Sequence, residues 1–354
     1  MRRTVLCALL ALLLLTTVVQ AAALPAALEN ALPDGLLEAT AGGDALSGGV
    51  EWLWATARDA LGGILRGSVR NAALLTLAAL ICGAAEGLAD GAGETAARYV
   101  PCCGVLAIAA LTTGDLRALI GLGAETVDEL GTLSRLLLPT LSAAMAAGGL
   151  VSTASVWQVT TLMACDLLSA AVSRLLLPMV YCYIAAAAAG AVLGEGRLDL
   201  LADGLKKLVS GALKLAVVAF TGYLAVAGVL TGAADRTAVK AAKVVISGAI
   251  PVVGGVLSDA AESVLGAAGT LRGTVGVLGV FAIGAVCLTP LLRLGVQFLL
   301  YKLAAFASGL MGTKALGDFL DRLGEAFALV FAMTAACALV LLVAMLVAAT
   351  MVVG

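Results

Sequence analysis

Residues 326–353 read AFALVFAMTAACALVLLVAMLVAATMVV, a run with no charged side chain and only two threonines among its apolar residues. About 20 such residues cross the hydrocarbon of a bilayer as a helix, and this run exceeds that length. Working outward, further apolar segments fall near 71–87, 100–113, 136–158, 163–194, 212–232, 244–258 and 274–311. Hydrophobic residues make up 62% of the 354 positions, charged residues 12%, and mean hydropathy is +1.10. These values lie far outside the soluble range and predict an all-α, polytopic membrane protein with six or seven spans. Val100–Thr113 and Val244–Ser258 look short for a span, whereas 274–311, with Pro290, Arg293 and Lys302, is expected to hold two helices.

The remaining composition excludes several functions. The 21 Lys and Arg are scattered, the net charge is −2, and no basic tract marks a nucleic-acid partner. The chain has no histidine, which removes the commonest metal ligand and general base. Seven of its eight cysteines sit in apolar segments after Cys7, without a CxxC pair, and read as packing residues. No GxxxxGK[ST] loop is present, so nucleotide energy would have to come from a partner. Neither a cofactor nor a metal site nor a catalytic residue is indicated.

The N-terminus predicts three divisions. Arg2, Arg3 and the apolar run Val5–Val19 ahead of small residues near Ala21 read as a signal peptide over 1–22, or else as an uncleaved anchor. Residues 23–70 read as an extracytoplasmic segment, since 24–66 hold six acids from Glu29 to Asp59 against Arg58 and Arg66. Inside it, Glu51–Arg66 forms an amphipathic stripe that lies at the headgroup layer or docks on the protein's own core. Residues 71–354 form the multi-span domain.

A possible internal duplication runs over about 88–200 and 201–315. Pro139 and Pro178 are 39 residues apart, as are Pro251 and Pro290. This aligns residues 136–155 with SGAIPVVGGVLSDAAES at 247–263. Proline and glycine in matched apolar segments suggest re-entrant elements near the midplane, and kinked spanning helices are the alternative. In the first version residues 247–266 enter as a hairpin, bent at Pro251, turning at Gly254 and Gly255, and returning the face of Asp259 and Glu262 to water. Charges inside apolar runs are the other candidates. Asp166 and Arg174, eight residues apart, are read as sharing a face and as making a buried polar contact, within this protein or with a small membrane partner. Arg293 joins them as a path residue, whereas Lys302 and Glu86 read as helix-end side chains that snorkel. Arg174→Leu is therefore expected to do more harm than Lys302→Leu. The basic residues of 195–214 mark a cytoplasmic side, which the second basic group at 235–243 contradicts if 212–232 crosses once.

The segments GLKKLVSGALKLAVVAFTGYLAVAG and TGAADRTAVKAAKVVISGAIPVVGGVLSDAAESVLGA, with the earlier LLPTLSAAMAAGGLVSTASVWQ, resemble the stage III sporulation protein AE family of endospore-forming bacteria. The likeness extends over nearly the whole chain and is most specific over Gly204–Gly266. It implies a multi-pass subunit in the mother-cell membrane around the engulfed forespore, within a channel or feeding apparatus. The implied partners are the other stage III mother-cell proteins, including an ATPase, membrane lipid and, indirectly, stage II sporulation protein Q from the forespore. The family supplies no catalytic residue to carry over. Two other readings of the residues are a secondary transporter built on repeats and a non-conducting assembly scaffold.

Overall fold

The computed structural model describes residues 45–89, 94–147, 151–193, 196–230, 274–311 and 313–353, together with Gly35, Leu36 and Ala39. Among the described residues the elements are all helical. They are α1 (Ala45–Ala89), α2 (Glu94–Ala147), α3 (Val151–Ala171), a π-helical turn (Val172–Leu176), α4 (Leu177–Leu193), α5 (Gly196–Leu230), α6 (Thr274–Leu310) and α7 (Lys314–Val353). Because α3, the π turn and α4 run on as one rod, they make six helices long and apolar enough to cross a membrane.

Helix α7 carries the uncharged run and is the centre of the bundle, packing against α6, α2, α4, α5 and α3. A helix that is apolar all round has no face to give to water, and burial is its stable state. Phe319, Phe327, Val330, Leu341, Ala344 and Met345 are among its fully or nearly fully buried residues. Helix α6 runs antiparallel beside it, with Tyr301 edge-on to Phe327 at 4.9 Å. Helix α1 lies along α6 and touches α2, whereas α5 is an edge helix held by α4 and α7. One end of the bundle therefore gathers the end of α1, the start of α2, the α4–α5 and the α6–α7 ends.

Several expected boundaries move. Residues 274–311 form one helix rather than two: Pro290 lies buried inside α6, where close neighbours compensate for a single lost backbone bond. The apolar segments 100–113 and 136–158 do not stand as separate spans. The polar stretch between them is helical, so α2 continues through it to Ala147, and the second segment is divided between α2 and α3. At 54 residues α2 is about 80 Å long, more than twice the hydrocarbon thickness. The 70/71 division falls within α1, where Trp52 and Leu53 pack against the core and Trp54 is exposed.

The prolines of the proposed repeat differ in setting. Pro139 lies exposed within continuous α2, and Pro178 follows the π turn. There the Leu177 N–H donates to the Val172 carbonyl, a longer loop of chain than an α-turn uses, and Pro178 has no N–H to offer next. Pro290, its supposed counterpart, is buried in α6 among α-helical residues. The signal-peptide region 1–22 and the segment 247–266 lie outside the described residues.

Candidate functional site

The start of α7, LGDFLDRLGEAF, places Asp321 and Glu325 one turn apart and Arg322 to one side. The start of α5 places Asp199, Asp203 and Lys206 at spacings of four and three, along one stripe. Because α5 runs parallel to α7 and α6 antiparallel to it, these two stripes and Lys302 converge. Lys206 Nζ donates to Glu325 Oε1 at 2.5 Å, and the hydroxyl of fully buried Tyr183 donates to Glu325 Oε2 at 2.8 Å. Lys302 Nζ lies 2.6 Å from Asp321 Oδ1 and 4.0 Å from Glu325 Oε1. Arg322 reaches Asp199 at 3.0 Å and Asp203 at 3.4 Å.

Four carboxylates and three cations from three helices, with one tyrosine from a fourth, thus neutralise most of one another at one level of the bundle. Ionised groups within apolar helices are costly unless paired, and the pairing ties α4, α5 and α6 to α7. Among the described residues no group of three or more His, Cys, Asp or Glu side chains is placed to hold a metal ion. The chemistry on offer is charge pairing and hydrogen bonding.

None of the candidate residues chosen from the sequence belongs to this cluster, and Lys302, which does, was read as a snorkelling side chain. Asp166 pairs with Arg135 of α2 at 2.9 Å, on the bundle surface. Arg174 sits exposed in the π turn with no ion pair among the described residues. Eight residues overshoot two helical turns by roughly 80°, and the π turn shifts the register again, so Asp166 and Arg174 do not meet. Arg293 is exposed on α6, and Pro139 lies on α2 with its carbonyl 2.9 Å from the Ser142 hydroxyl. Pro251, Gly254, Gly255, Asp259 and Glu262 lie outside the described residues. Sequence reasoning missed Tyr183, Asp199, Asp203, Lys206, Asp321, Arg322 and Glu325; the three- and four-residue spacing of charges opening α5 and α7 was the available signal.

For the stability of the isolated chain, Lys302→Leu is the more harmful of the two substitutions. Lys302→Leu should destabilise by about 1–2 kcal/mol, given its two carboxylate neighbours and one-third exposure. Arg174→Leu should stay within about 0.5 kcal/mol. Thermal unfolding of the two purified variants in one detergent checks this, and a larger loss at Arg174 would contradict it.

A family model described as stage III sporulation protein AE matches residues 73–352. The chain belongs to the stage III sporulation protein AE family. The matched range begins inside α1 and ends inside α7, so this family's region contains the whole charge cluster. Stage III sporulation protein AE of Bacillus subtilis (strain 168) is 23% identical over 222 residues, covering 63% of this chain and 56% of that protein. The chain thus aligns with little more than half the length of that relative. No solved structure matches the chain.

Proposed function

We propose that the protein is a membrane subunit of the channel or feeding apparatus that joins mother cell and engulfed forespore, required for late forespore development. The observation that carries this reading is the family match over residues 73–352, laid on a bundle with six helices, among the described residues, long and apolar enough to cross a membrane. The bundle end bearing Arg197, Lys206, Lys207, Lys302, Lys314 and Arg322 faces the mother-cell cytoplasm under the positive-inside rule. An ATPase partner on that side supplies nucleotide energy, and other stage III mother-cell subunits connect this protein indirectly to stage II sporulation protein Q. The transporter alternative drew on a matched pair of proline-broken segments, one of which holds Pro139 inside a continuous helix; no observation on the bundle favours it.

Deletion of the gene tests the proposal. Vegetative growth should be unchanged, engulfment should complete, and heat-resistant spores should fail to form until the gene is restored. Normal heat-resistant spore counts from the deletion strain would remove the reading.

A further inference from the structure

Helix α2 carries Glu125, Asp128 and Glu129 on its outer face, in the polar stretch between its two apolar segments, and none forms an ion pair among the described residues. Helix α1 likewise exposes Arg58, whose guanidinium lies 5.9 Å from the ring of its neighbour Trp54 and has no carboxylate partner among the described residues. Arg58 stands beside exposed Asp59, and exposed charges without an ion pair on the helices of a membrane protein mark a face that protein or water covers.

The heights of the two charged faces follow from the α1–α2 register. Asn71 Nδ2 donates to Asp115 Oδ2 at 3.1 Å, and eleven residues further on in α1 Cys82 lies against Gly104, eleven residues earlier in α2. Both contacts obey one antiparallel register. Stepping thirteen residues back from Asn71 and thirteen forward from Asp115 brings Arg58 level with Asp128, between Glu125 and Glu129. Within one chain the two do not pair, and α6 packs against both helices.

Copies inserted in one membrane share an orientation, so the axis relating them lies along the membrane normal and equal heights meet. The outer face of α1 in one copy can then meet that of α2 in the next with Arg58 opposite Asp128. The surface also permits close approach: a side chain added at Gly62, one turn from Arg58, would meet nothing within 4 Å. From this complementarity at equal height we infer that the α1/α2 flank is a self-association surface, occupied by a second copy of this chain. The inference does not rest on the sporulation role.

The test uses the full-length protein in lipid nanodiscs and in detergent, with association measured by light scattering and by energy transfer between two labelled populations. The wild type should associate. Arg58→Glu and Asp128→Arg should each weaken self-association by about tenfold or more. Mixing the two variants should restore it, because in the mixed pair the two substituted side chains, again of opposite sign, meet at one contact and the native Arg58 meets the native Asp128 at the other. Recovery on mixing also shows that both variants fold. A wild type that stays monomeric, insensitivity to either reversal, or two variants that fail to recover on mixing would each overturn the proposal.

Discussion

Glu325→Leu is expected to destabilise the bundle by about 3 kcal/mol, seen as a lowered unfolding midpoint of the purified protein. The Glu325 carboxylate receives hydrogen bonds from Lys206 and Tyr183 and lies 4.0 Å from Lys302. Removing it leaves one ammonium without its partner and one fully buried hydroxyl without an acceptor. Stranding a buried polar group costs about 1–3 kcal/mol, and truncating one side of a desolvated pair about 3–5 kcal/mol. Lys206 is 40% exposed, so solvent recovers part of that charge and the lower part of the range applies. Glu325→Gln, which keeps an acceptor for Tyr183, should lose about half as much. Lys206→Leu combined with Glu325→Leu should cost less than the sum of the two single changes, because the stranded ammonium is gone. A Glu325→Leu protein as stable as the wild type would show that the cluster contributes nothing to holding the four helices.

The class of fold was legible because it depends on quantities that are local in sequence. The uncharged run 326–353 and the other long apolar segments gave the membrane, the helices and six or seven spans directly. Helix boundaries were less legible, since hydropathy sees charge and not backbone. Glu125, Asp128 and Glu129 interrupt the apolar signal between 113 and 136, yet acidic side chains on one outer face leave the α-helical bonding of α2 intact. Pro290 was read as a division for the same reason, although a buried proline costs one bond that packing tolerates.

The site was least legible of all. Asp166 and Arg174 were singled out as charges in apolar runs about two turns apart, and both sit on the surface of the bundle. The cluster that ties four helices together is built from charges towards helix ends, such as Asp321, Lys206 and Lys302, which resemble ordinary solvated ends. Only the parallel course of α5 beside α7 brings Lys206 to Glu325, across 119 positions of sequence. No local pattern encodes that distance. The π turn before Pro178 is a second case, since it alters which faces α3 and α4 present without changing the hydropathy of either.

Gly123→Leu is expected to cost about 3 kcal/mol and to loosen the α2–α7 contact on which the central helix depends. A Cβ built at Gly123 would run into Cγ1 of Val330 and lie 3.5 Å from the hydroxyl of Thr334, both of them buried on α7. Valine is stiff about χ1 in a helix, so Val330 cannot turn its methyl aside as a methionine could. Gly279 supplies the contrast, because a Cβ there meets the terminal methyl of Met345, a flexible end that can swing away. Overpacking a filled core costs about 1–3 kcal/mol and more for a side chain as large as leucine. Against this, replacing a helical glycine by alanine or leucine gains up to about 1 kcal/mol of helix propensity. That gain should appear alone at Gly211, where nothing lies within 4 Å, so Gly211→Ala should stabilise slightly. Gly123→Ala should be destabilising, Gly279→Ala close to neutral, and Gly123→Ala with Val330→Ala more stable than Gly123→Ala alone, because the second change vacates the volume the first one needs. Thermal unfolding of these five variants in one detergent reads the series. If Gly123→Leu and Gly211→Ala melted together, α2 and α7 would not be in the close contact at Gly123 on which the prediction stands.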